Sequence, residues 1–127
     1  MHTHPSLSEL VEAVKHFIDE TAAPDLNGLG KFHSRIASNV LATVLRELEQ
    51  SQQATHTEIE GLAALLGSGT DQTALALNRD LCEKIASGEM DLRTPDLLAH
   101  LKRTAIAQLS IDQPTYSGLV TAMEASE

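Results

Sequence analysis

Tryptophan is absent from this 127-residue sequence, which also has only two Phe and one Tyr. A β-sandwich usually fills its core with aromatic and β-branched side chains, so this scarcity favours helices packed through Ala, Leu, Ile and Val. Cysteine is nearly as rare. The single Cys82 has no partner for an internal disulfide, which fits a reducing compartment and a cytoplasmic location.

Positive charge is scarce as well. Nine Lys and Arg stand against 18 Asp and Glu, a formal net charge of −9, and no basic run occurs. That balance excludes a nucleic-acid backbone or an anionic membrane as the main partner. No apolar run approaches the roughly 20 residues that span a bilayer. The start, Met1-His2-Thr3-His4-Pro5, has no basic segment leading into an apolar one, so no secretory signal is expected.

The standard catalytic signatures are missing too. There is no Gly-rich phosphate loop, no His-Glu-x-x-His, no paired-Cys motif and no Gly-x-Ser-x-Gly. The six His, at 2, 4, 16, 33, 56 and 100, form no matching metal-ligand pattern with their neighbours. Neither a metal nor a cofactor is expected.

What is present is helical periodicity. Ser6-x-x-Glu9 forms a capping-box pattern ahead of Leu7, Leu10, Val11, Val14, Phe17 and Ile18, a helix ending before Pro24. A second helix is expected over about 29–53, with Phe32, Ile36, Val40, Val44 and Leu48 as its buried face. The polar segment 51–57 reads as a turn, and Thr57-x-x-Glu60 as the start of a third helix running to Gly67.

Thr70 or Asp71 can open a fourth helix with a core stripe of Ala74, Leu77, Leu81 and Ile85, stopping at Gly88. Thr94-Pro95-Asp96 then announces a fifth carrying Leu97, Leu98, Leu101, Ala105 and Leu109. Gln113-Pro114 marks a boundary before a short last helix, about 114–124. The expected fold is all-α: an antiparallel bundle of five to six helices in a single domain over 1–127, residues 1–5 being disordered.

At about 100° per residue, Arg35, Asn39 and Arg46 fall on one edge of the second helix, with Ala42 as a small gap between them. Two guanidinium forks and an amide along one groove suit a carboxylate or phosphate. Alternatively they pair with the chain's own abundant acids. His33 and Glu47 fall in the sector of Val40 and Val44, where a buried polar group needs a partner, and Asn78 could supply it. Asp112 and Tyr116 would join the site only if the fold brings them to the Arg stripe.

Three segments carry a resemblance: Phe32-His33-Ser34-Arg35-Ile36-Ala37-Ser38-Asn39-Val40-Leu41 continuing to Arg46-Glu47-Leu48, then Leu77-Asn78-Arg79-x-Leu81-Cys82, then Leu109-x-Ile111-Asp112-Gln113-Pro114-x-Tyr116. Together they resemble a bacterial family of short helical proteins of unknown function, over Pro5 to about Leu119. Its members are typically encoded beside an aminoglycoside-phosphotransferase-like kinase and an acyl-CoA dehydrogenase. The family usually has Asn where this chain has Gln113 and Ala where it has Ser38.

The resemblance implies an accessory role beside such a kinase and supplies no catalytic residues. Three functions follow as expectations. The first is a non-catalytic interaction protein for a phosphotransferase-like partner. The second is a small-anion binder or minor enzyme, using Arg35, Asn39 and Arg46 with His33 or Tyr116 for proton transfer. The third is a homo-oligomer joined through Leu62, Leu65 and Leu66.

Overall fold

A computed structural model describes residues 3–125. Among them are five α-helices and no strands, the expected all-α class: α1 (Leu7–Phe17), α2 (Gly28–Leu66), α3 (Ala74–Ala86), α4 (Leu97–Asp112) and α5 (Ser117–Glu124). Backbone contacts divide the chain into two compact units, Met1–Ser51 and Gln52–Glu127. No helix among the described residues is long and apolar enough to cross a membrane.

In the first unit, α1 opens on the expected capping box. The Glu9 amide donates to Ser6 Oγ at 3.2 Å, and the Ser6 amide donates to Glu9 Oε2 at 2.7 Å, so two unpaired end groups are satisfied reciprocally. The helix continues through a π-turn (Ile18–Ala22) and a 3-10 turn (Ala23–Asp25) containing Pro24. Lys15 bridges to Asp19 at 2.7 Å across one turn. Lys15, and with it Ser38 of α2, holds the Asp19 carboxyl below its ordinary range.

The α2 helix corrects two expectations. It is one helix of 39 residues, with no turn at 51–57. That segment lacks Gly and Pro, and its polar side chains support the helix instead of capping a new one. Gln53 Nε2 donates to Thr57 Oγ1 at 3.3 Å, and His56 pairs with Glu60 at 3.2 Å. The second correction concerns the face. Ser38 is buried, with Ser34, Ala37, Leu41, Ala42 and Leu45 half-buried around it. Phe32, Ile36, Val40, Val44 and Leu48 lie on the opposite side, each 38–56% exposed.

The second unit holds the main core: Leu62 from α2, Leu77 and Leu81 from α3, and Leu97 from α4, with Ile59, Leu65, Leu66 and Met90 packed around them. Leu62 is thus a core residue, and Leu65 and Leu66, proposed with it as a dimer surface, are half-buried against it. At Gly67, φ +66 turns the chain out of α2 while the Ser68 amide returns to the Ala63 carbonyl at 3.0 Å. The cap of α3 is Thr73, whose Oγ1 accepts from the Ala76 amide at 3.1 Å, two or three residues beyond the expected start.

Helix α4 also begins later than its sequence signals suggest. Thr94 Oγ1 accepts from the Asp91 amide at 2.9 Å, closing a turn, so it is not available as a helix cap. Asp96 takes the cap position at φ +67, with no side-chain capping bond. The buried face of α4 is Leu97, His100 and Ile111, whereas Leu98 and Leu101 are exposed.

Candidate functional site

The Arg35, Asn39 and Arg46 stripe exists on one side of α2, but its members differ. Arg35 and Asn39 are exposed, and Arg46 is half-buried. The Arg46 Nη2 donates to Thr43 Oγ1 at 3.1 Å, and that hydroxyl donates to the Asn39 carbonyl at 3.2 Å. Arg46 is thereby tied back along its own helix.

His33 and Glu47 are both exposed, contrary to the expected inward placement, because the Val40 and Val44 sector that was to bury them itself faces outward. The His33 ring lies beside Phe32, centroids 5.9 Å apart. Asn78 serves neither of them. Its Nδ2 donates to Glu58 Oε1 at 2.8 Å, joining α3 to the C-terminal part of α2.

Asp112 and Tyr116 flank the link between α4 and α5. The Asp112 carboxylate accepts from Gln108 Nε2 at 2.8 Å, one turn earlier on the same helix. The exposed Tyr116 ring folds over Gly118, where a Cβ would stand only 2.5 Å from Cε1. Both residues therefore have local structural work. They belong to the second unit, and the Arg stripe to the first.

A pocket lies within the second unit, where the C-terminal part of α2 meets the start of α4. A cavity of about 330 Å³ is lined by Gly61, Ala64, Leu65, Thr94, Pro95, Asp96, His100 and Arg103. Gly61 explains how a histidine comes to be buried there. A Cβ on Gly61 would stand 2.5 Å from His100 Nδ1 and 3.6 Å from Arg103 Nη2, so the missing side chain is the space the imidazole uses. His100 is 3% exposed.

Burial holds the His100 imidazole below the usual histidine range, since a charged ring would lose its hydration. The nearby Arg103 charge acts in the same direction, and Glu58 opposes both. A neutral imidazole carries one N–H donor and one acceptor, so the site offers both capacities near neutral pH. Asp96 is the one non-glycine residue with positive φ among those described, and it sits at the rim.

None of Gly61, Asp96, His100 and Arg103 stands out in the sequence as a site. The available signals were a glycine in the middle of a helix-forming run, Gly61, and a histidine three residues after a core leucine, His100. Among the described residues no group of three or more His, Cys, Asp or Glu is arranged to hold a metal ion. His2 of the N-terminal His pair lies outside the described residues.

Neither a curated protein nor a solved structure matches the chain. A family model does match, over residues 24–116, which takes in the exposed α2 stripe, the core and the His100 cavity. On that match, the chain belongs to the family described as a domain of unknown function, DUF6285.

Proposed function

We propose that this protein is a non-catalytic interaction protein that docks a partner on the exposed apolar stripe of α2, and that the partner is a phosphotransferase-like kinase. The observation that carries this reading is the stripe itself. Phe32, Ile36, Val40, Val44 and Leu48 are each 38–56% exposed on one side of a helix whose other side is already covered. Single exposed apolar residues are ordinary on protein surfaces, but a continuous row of them is the signature of a protein-binding face. Steps of four residues bring such side chains to a groove as one ridge. In the same unit, Leu7, Leu10, Val14 and Phe17 of α1 are at least half exposed, which adds apolar surface beyond what the unit covers by itself.

The kinase comes from the resemblance set out under the sequence analysis, and the stripe falls within the family match. Co-expression with the adjacently encoded kinase tests both parts. The expected result is a complex that co-purifies, and that is lost when Ile36→Asp and Val40→Asp are introduced together without loss of helicity. Absence of a complex together with unchanged kinase activity would overturn the kinase assignment. If the same two substitutions instead dissolve a homodimer, the stripe belongs to a second copy of this chain.

A further inference from the structure

His33 and Glu47 are polar residues set in the middle of the apolar ridge of α2. At about 100° per residue both lie within about 20° of Val40 around the helix, closer to its line than Ile36 and Val44 at about 40°. The five positions are also symmetric along the chain: Ile36 and Val44 each lie four residues from Val40, and His33 and Glu47 seven. All five are exposed. Ser38 alone is buried among the described residues of this unit, which therefore has no buried apolar core of its own.

From this symmetry we infer that the ridge is covered, in the free protein, by the same ridge of a second copy of the chain, the two α2 helices running antiparallel and crossing at Val40. This rests on the ridge of the proposed function but not on the kinase, which would displace the second copy in order to dock. In that arrangement Val40 meets Val40, Ile36 meets Val44, and the His33 imidazole of each copy reaches the Glu47 carboxylate of the other, one such pair on either side of the apolar centre. An imidazole N–H donates to a carboxylate, so each polar residue finds a partner in the interface. Parallel pairing would instead set Glu47 against Glu47. The two polar residues thus fix direction and register, as polar positions do in coiled coils. Two ridges with steps of four fit into one another's grooves in the commonest helix-packing class, crossing at about −50°. Five side chains from each copy make a small contact, so the pairing is reversible and concentration-dependent, as a cover that a partner displaces must be.

Sedimentation equilibrium of the full chain alone, between about 5 and about 500 μM, tests the pairing without the kinase. A reversible monomer–dimer equilibrium is expected. His33→Glu, at an exposed position, sets acid against acid and should weaken dimerisation by at least about tenfold, and adding Glu47→Lys to it should restore the parent's Kd to within about threefold. The geometry is read by crosslinking in a Cys82→Ser background, since Cys82 is itself exposed. A short bismaleimide should join Val40→Cys to itself but not His33→Cys, whose two copies stand about 21 Å apart along the antiparallel helices. A mixture of His33→Cys and Glu47→Cys should crosslink. The inference is overturned if the chain is a monomer throughout the range, if His33→Glu dimerises as the parent does, or if His33→Cys crosslinks to itself as readily as Val40→Cys. A chain that dimerises as expected yet binds no kinase keeps this inference and overturns the kinase assignment alone, and a monomer that binds the kinase does the reverse.

Discussion

The His100 imidazole occupies the place that a side chain on Gly61 would need, with Nδ1 standing 2.5 Å from an ideal Cβ. Glycine in mid-helix costs about 1 kcal/mol relative to alanine, so Gly61→Ala on an unobstructed helix would stabilise. Here the ring is confined by burial, and overpacking should outweigh that gain. Thermal unfolding of Gly61→Ala is expected to show a net loss of about 1–2 kcal/mol. In a His100→Ala background the same substitution should become neutral or stabilising, since the obstruction is gone.

The same burial gives a pH dependence. Because the folded state holds His100 below its ordinary value of 6.5, the unfolded chain takes up a proton first as pH falls. This histidine therefore costs no stability above about pH 6.5, and stability is lost as pH drops from there through the lower folded value. Arg103 reinforces the shift and Glu58, on the facing helix α2, opposes it, while Asp96 caps the helix that carries His100. Denaturation curves between pH 7 and 5 should show a smaller decline for His100→Gln than for the parent chain. Asp19 belongs to a different window: the Lys15 and Ser38 hydrogen bonds hold its carboxyl below 3.8, so its contribution is lost only in stronger acid.

Glu47 and Asn78 should behave oppositely. Glu47 is exposed, so Glu47→Ala should change stability by no more than about 0.5 kcal/mol. Asn78→Ala breaks the 2.8 Å bond to Glu58 at a half-buried position and should cost about 1–3 kcal/mol. Urea unfolding of the two variants measures both.

Continuity of α2 through 51–57 is tested by proline. Thr55 is exposed, so Thr55→Pro probes the helix backbone. In a continuous helix it should cost about 3 kcal/mol or more and lower helicity by circular dichroism. A turn at this place would tolerate it.

The all-α class and the ends of most helices were legible because they rest on local chemistry: the Ser6 and Glu9 box, Gly67, Gly88 and the Leu77 and Leu81 stripe. The exposed row on α2 was misread for a physical reason. A row of Phe32, Ile36, Val40, Val44 and Leu48 looks the same whether the chain covers it or leaves it for something else, while the covered side is built from small residues such as Ala37, Ser38 and Ala42. Polar continuity hid the length of α2, since Gln53, His56 and Thr57 are bonded along the helix and not across a turn. The His100 cavity was invisible because it depends on a helix pair meeting at Gly61, which no spacing within one helix reveals.

The central claim, that α2 presents an apolar docking ridge, is tested most directly by measuring the affinity of the kinase for two single variants, Val40→Asp and Arg35→Ala. Both positions are exposed, so both variants should melt close to the parent chain. The expected result is at least a tenfold weaker Kd for Val40→Asp, about 1.4 kcal/mol, and a Kd within about twofold of the parent for Arg35→Ala. The contradicting result is the reverse, binding lost with Arg35→Ala and retained with Val40→Asp, which would place recognition on the charged stripe of the helix.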